Sequence, residues 1–227
     1  DRLHVLDRNG HVLWSTGLQD VLGYAQLFPR LWISDSGEYI AVAGGILNQG
    51  YVALFNGVGE RLWNFQTSSE VTAFAADRQA SRFVAGDLNG VVYVLDRSGS
   101  VSARTSLVSN VRSVAIVETS GTVVAVGDEN VMYVIDAETH VLWTHTEIGS
   151  SGFNVQASHD GKRIFIGYSS GYSEVLAVLD DNGSRIFTGP VSVSPIVSAL
   201  SSNGQLLVVA STTERGYGDA SFLAWYD

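Results

Sequence analysis

The chain has no cysteine, so neither a disulfide nor a thiolate metal site can hold it together, and burial with strand pairing must do so alone. Charge is also scarce, at 16% of residues, and 13 Lys and Arg are set against 23 Asp and Glu, a formal net charge of -10. A nucleic-acid partner needs clustered cations on its phosphates, and these few are spread along the whole chain, so nucleic acid is set aside. No apolar run approaches the roughly 18 residues that span a bilayer, so no membrane insertion is expected. The chain opens at Asp1 without a charged-then-apolar leader, which gives the expectation of a segment cut from something longer.

What is present suits many short strands joined by tight turns: 45% hydrophobic residues, 24 Gly and 5 Trp in 227 residues. Short apolar strands ending in Asp or Asn recur at residues 3–7, 51–56, 91–96, 131–136, 175–180 and 222–227, their last residues 49, 40, 40, 44 and 47 positions apart. A turn and a second strand follow, as in Arg8-Asn9-Gly10 before Val12-Leu13-Trp14, Gly57-Val58-Gly59 before Leu62-Trp63, and Ala137-Glu138-Thr139 before Val141-Leu142-Trp143. In the same register the other copies carry Ala103 and Phe187. A third strand runs into a polar turn, as at residues 32–37, 155–161 and 199–204, and a fourth follows it directly at residues 40–44, 83–86, 123–127, 164–167 and 206–211.

Four strands per period of about 40 to 49 residues, joined by turns rich in Gly, Asn, Asp and Ser, define a meander repeated as the blades of a β-propeller. The expected architecture is all-β, about five four-stranded antiparallel blades in one domain. Repeats lie near 17–56, 57–96, 97–136, 137–180 and 181–227, with closing strands in 1–16. Gly44, Gly86, Gly127 and Gly167 recur where backbones should approach closely. Trp14, Trp63 and Trp143 are expected to pack between blades, with Trp63 and Trp143 largely buried at equivalent places.

The run Val5-Leu6-Asp7-Arg8-Asn9-Gly10-His11-Val12-Leu13-Trp14 resembles the repeats of the PQQ-like (quinoprotein-like) propeller superfamily. The strand and turn before Gly37, Gly161 and Gly204 resemble those of WD-repeat propellers. The resemblance covers nearly the whole chain and implies architecture; that superfamily includes dehydrogenases, assembly scaffolds and many surface proteins with no known chemistry.

The chain opens with the last two strands of one blade, runs through four full blades and ends with three strands. Closure is expected by pairing of the terminal segments, residues 11–15 beside residues 222–227, since open edges invite aggregation. The alternative is an arc of a larger propeller.

No residue set points to catalysis. His11 and His140 share one turn position, filled elsewhere by Glu60, Ser100 and Ser184, which makes a polar turn residue the better account than a metal ligand. Asp7-Arg8-Asn9-Gly10 and Asp180-Asp181-Asn182-Gly183 fit Asx turns better than a calcium loop, because the distant bidentate Glu is missing. There is no Gly-x-Ser-x-Gly elbow, and the chain is too short for the eight blades of a quinoprotein dehydrogenase. No enzyme activity, cofactor or metal is therefore expected.

Insertions supply the binding candidates. Residues 46–50, 169–173 and 212–220 fall between the same pair of strands, so Asn48, Tyr172, Arg215 and Tyr217 are expected on one binding face. Residues 18–29, with Tyr24, Phe28 and Pro29, form a further long connection. The expected function is a non-enzymatic interaction or structural module of a larger extracellular or cell-surface protein, with a protein or glycan surface as partner. A carbohydrate-binding propeller is the runner-up and a quinoprotein-like enzyme fragment comes third.

Overall fold

The computed structural model describes residues 2–22, 29–46, 48–129, 131–146, 151–170, 173–191, 195–212 and 220–226. The chain forms two compact units, Asp1–Val111 and Arg112–Asp227. In the first, β1 (Arg2–Leu6) and β2 (Val12–Gly17) make a two-stranded sheet, and α1 (Gln19–Leu22) leads out of it. Two four-stranded meanders follow: β3 (Arg30–Ile33), β4 (Tyr39–Ile46), β5 (Gln49–Asn56) and β6 (Arg61–Thr67), then β7 (Val71–Ala76), β8 (Arg82–Asp87), β9 (Val91–Asp96) and β10 (Val101–Ser106).

The next meander is β11 (Val111–Ile116), β12 (Val123–Gly127), β13 (Met132–Ile135) and β14 (Val141–His145), with nearly all of its residues in the second unit. That unit continues with β15 (Ser151–Ala157), β16 (Ile164–Ser170), β17 (Ser173–Leu179) and β18 (Arg185–Val191). It ends in a three-stranded sheet of β19 (Pro195–Leu200), β20 (Leu206–Thr212) and β21 (Ala220–Tyr226). The counts two, four, four, four, four and three reproduce the repeat, and the strand pairs among the described residues are antiparallel.

The central stretches of the middle strands are almost continuously apolar because both of their faces are covered. In the first unit Ala41, Ala43, Val52, Leu54, Phe83, Ala85 and Leu95 form one buried cluster spanning two sheets. A second joins Leu3, Leu18 and Val21 to Ile40, Val42, Ala53 and Phe55. Leu18 and Val21 belong to the long connection expected as a binding loop, so its first part serves the core; Tyr24 and Phe28 lie outside the described residues. In the second unit Val124, Val126, Met132, Val155, Ile164, Ile166 and Leu179 pack together, and Phe165, Leu176 and Val178 pack on Leu207 and Val209.

Polar turns stitch neighbouring sheets within each unit. Asp35 N–H donates to the Arg78 carbonyl at 3.1 Å in the first, and in the second His159 N–H donates to the Ser202 carbonyl at 2.7 Å. Gly86 marks a close approach: a Cβ there would lie 2.4 Å from Val111 Cγ1.

Two expectations need correction. Trp63 and Trp143 occupy equivalent places but are half-buried, because the outermost strand of each sheet carries them and only part of each ring is covered. Among the described residues no hydrogen-bonded strand pair of the expected closure occurs: β2 pairs with β1, and β21 pairs with β20 in a sheet of three. The arc therefore fits this strand order as well.

Candidate functional site

One device recurs at the turn between the third and fourth strands of each sheet. Asp7 Oδ1 accepts the N–H groups of Asn9 and His11, at 2.8 and 2.9 Å. Asn56 does the same for Val58 and Glu60, Asp96 for Ser98 and Ser100, Asp136 for Glu138 and His140, and Asp180 for Asn182 and Ser184. These are Asx turns, in which the side chain replaces a backbone acceptor. The backbone N–H of His11, with Asn9 behind it, holds the Asp7 carboxyl below its ordinary range; the Ser98 hydroxyl does this first at Asp96.

At three of these turns the second side-chain atom also reaches the residue four positions on. His11 Nδ1 lies 3.2 Å from Asp7 Oδ2 and His140 Nδ1 3.0 Å from Asp136 Oδ2, while Asn56 Nδ2 donates to Glu60 Oε2 at 2.7 Å. The histidines thus hold a turn position that Glu60 fills equally well. Asp136, Glu138 and His140 bring ligand atoms within 4.8 Å of one another, and the turn accounts for that gathering.

A register shift recurs in each outer strand beside one side chain, which at the three tryptophans meets the following turn. Trp14 stands opposite Val5, Trp63 opposite Leu54, Ala103 opposite Val94, Trp143 opposite Val134 and Phe187 opposite Val178, each beside a register shift. Trp14 Nε1 donates to the Gly57 carbonyl at 3.0 Å and Trp63 Nε1 to the Arg97 carbonyl at 2.8 Å. Their rings lie over Gly59 and Gly99, where a Cβ would come within 2.8 and 2.6 Å of the indole; Trp143 covers Gly183 in the same way.

The opposite end of each sheet carries the variable connections. In the first full sheet the hairpin closes at Ile46↔Gln49, leaving Asn48 exposed at its tip. The equivalent hairpins close at Ser170↔Ser173 and Thr212↔Ala220, so the three insertions do join equivalent strands. Tyr172, Arg215 and Tyr217 lie outside the described residues.

At this end the structure also assembles a cluster that the sequence reading missed. Asp87, fully buried, accepts the N–H groups of Asn89 and Val91 on Oδ1 and the hydroxyls of Ser68 and Tyr93 on Oδ2, the last two at 2.7 and 3.3 Å. Four donors satisfy the carboxylate and pin the β8–β9 turn to the β6–β7 connection. A signal was available in Gly86-Asp87-Leu88-Asn89-Gly90, which repeats the Asp-x-Asn-Gly spelling of an Asx turn. Asp128, at the corresponding strand end, instead receives Arg112 Nε at 2.5 Å.

Repeated meanders with interlocking Trp–Gly contacts define a β-propeller as the class of fold. The chain belongs to the PQQ-like repeat family described as "Outer membrane protein assembly factor BamB", whose profile matches residues 1–214. Among solved structures it is similar to the β-propeller domain of Cps50 (Swd1) from Myceliophteria thermophila, with a TM-score of 0.70 at 11% identity over 91% of this chain and 74% of that one. That likeness bears on the fold alone. No characterised protein sequence matches the chain.

Proposed function

We propose that the chain is a non-enzymatic propeller module that binds another macromolecule through the hairpin ends carrying Asn48, within a larger extracellular or cell-surface protein. One observation carries the reading: turns at one end of each sheet repeat the same hydrogen bonds, whereas the connections at the other end differ in length from copy to copy. A scaffold that fixes one set of turns and frees the other is built for recognition by its variable loops. Asp7, His11, Asp136 and His140, the groups weighed as metal ligands, are engaged in turn hydrogen bonds. The family description, an outer membrane protein assembly factor, supports a scaffolding role. Location outside the cytosol rests on the missing cysteine and the scarcity of lysine.

The test is site-specific photocrosslinking in cells producing the parent protein, with the crosslinker at Asn48 or at the opposite end of the same sheet, Val58. Defined adducts from Asn48 alone are expected. Equal labelling from both positions, or turnover of a small substrate by the purified protein, overturns the reading; specific glycan-array hits would move it to carbohydrate recognition.

A further inference from the structure

The second full sheet departs from the repeat at one place on its two outer strands. In register, Tyr93 stands opposite Arg104, where the other copies set Ala53 opposite Asn64, Tyr133 opposite Thr144, Ala177 opposite Thr188 and His4 opposite Ser15. Phe65, on the outer strand of the preceding sheet, is as singular: Thr16, Thr105, His145 and Gly189 hold its place elsewhere. Among the described residues, only this copy joins two rings and a cation at these positions.

Together they line a pocket of about 510 Å3. Phe65, Gln66 and Ser68 come from β6 and the connection after it, Tyr93 from β9, and Val101 and Arg104 from β10, all within the first unit. Its aromatic wall is fixed before any ligand arrives. The rings of Phe65 and Tyr93 meet edge-on with centroids 5.4 Å apart. The Tyr93 hydroxyl lies 3.0 Å from Ser68 Oγ and 3.3 Å from Asp87 Oδ2, and the Ser68 N–H donates to it at 3.2 Å. The buried Asp87 cluster thus holds Tyr93 in one orientation, and a wall held in advance loses little freedom on binding. Thr67 stands opposite Gly50 in register, which places the pocket beside the hairpin that carries Asn48.

We propose that this pocket binds a carboxylate carried on a short apolar or aromatic body. The lining selects that chemistry. Phe65, Tyr93 and Val101 offer surface to the body, and Arg104 is the one cation among the described lining residues, in a chain of formal net charge -10. A neutral ligand covering Arg104 would strip water from the guanidinium and return no charge, which opposes binding. A carboxylate returns the charge together with two acceptor oxygens that match the planar guanidinium fork. Gln66, exposed on the same wall, adds an amide donor. A doubly charged phosphate asks for more cations than the lining supplies. The carboxylate can belong to a free organic acid or to an acidic side chain of the macromolecule recognised at the Asn48 end. The site goes beyond that reading by naming a ligand chemistry, and only the second source rests on it.

The experiment titrates the isotope-labelled full chain with hydrocinnamate and follows the backbone amide signals by NMR. Saturable shifts at Gln66, Ser68 and Arg104 are expected in the millimolar range, the strength open to so small a ligand. Hydrocinnamide, the same body without the charge, should bind about ten-fold or more weakly, and Arg104→Gln should weaken hydrocinnamate by a similar factor. Gln66→Glu, which sets a negative charge on the wall, should weaken it as well. Both positions are exposed, so circular dichroism should find the variants folded. Arg8→Gln, which removes an exposed cation outside the pocket, should leave binding unchanged. Absence of saturable shifts, equal affinity for acid and amide, or binding indifferent to Arg104→Gln overturns the proposal. Crosslinking from Asn48 in the Arg104→Gln background then identifies the source: lost adducts assign the carboxylate to the partner, and retained adducts assign it to a free acid. If Asn48 gives no adducts even with Arg104 in place, the reading of that end fails while the titration stands.

Discussion

At the scale of the residue, the most informative pair is a tryptophan and the glycine it covers. Gly99 has φ +80° and Gly10 has φ +84°, yet a Cβ at Gly99 would strike the Trp63 ring while one at Gly10 meets nothing within 4 Å. Gly10→Ala should therefore cost only the left-handed backbone penalty, about 1 kcal/mol, and Gly99→Ala about 2 to 3 kcal/mol, because the ring must also move. Thermal unfolding of both variants checks this, and equal losses would show that the ring does not rest on the turn. Thr139 takes φ 70° at the corresponding place in the copy that follows Ala103 in the chain, so a side chain is tolerated there. Trp63→Ala should cost about 2 to 3 kcal/mol, less than for a fully buried ring, since half-burial reduces both the transfer and the cavity contributions. Trp63→Phe keeps most of the packing and removes the hydrogen bond to the Arg97 carbonyl, for a loss near 1 kcal/mol.

At the scale of the element, the turns decide how the molecule answers to acid and to the loss of one carboxylate. Asp7 and Asp96 sit below their ordinary value of 3.8, chiefly through the His11 N–H and the Ser98 hydroxyl respectively. At Asp136 partial desolvation acts upward and is outweighed by hydrogen bonds from His140 and Glu138. A folded pKa below the unfolded one gives stability that is present above the unfolded value and is lost as pH falls through it toward the folded one. Unfolding midpoints should thus hold steady through neutral pH and fall below about pH 4, and Asp96→Asn should flatten that fall. A midpoint that rises on acidification would contradict the role given to these turns. Asp87 is a different case: Asp87→Ala strands two N–H groups and two hydroxyls in a dry site, for an expected loss of about 2 to 4 kcal/mol, read by denaturant titration. The Asx turns were legible because Asp or Asn recurs at a fixed place before each Gly turn. The Asp87 cluster was not, because Ser68 and Tyr93 reach it from 19 and 6 positions away along the chain.

At the scale of the whole molecule, the number and order of strands could be read from the spacing of apolar runs, since each blade is built by neighbours in sequence. How the ends meet could not, because that pairing is set by the termini and not by the repeat. Periodicity alone also overstated the burial of Trp63 and Trp143, as the same Leu-Trp spelling suits a half-covered outer strand. The observed strand order gives β1–β2 a local duty: Leu3 and Leu18 cover Ile40, Val42, Ala53 and Phe55, and Trp14 Nε1 holds the Gly57 carbonyl. Deleting residues 1–17 should bare that apolar face and destabilise the first unit by several kcal/mol, at about 25 cal/mol per Å2 of newly exposed apolar surface. Among the described residues β2 pairs with β1 alone, so amide exchange in residues 164–170 and 173–179 should be unchanged by the deletion. Exchange that accelerates in β19–β21 as much as in β4–β5 would mean that the terminal strands close the ring in solution, and the arc would have to be abandoned.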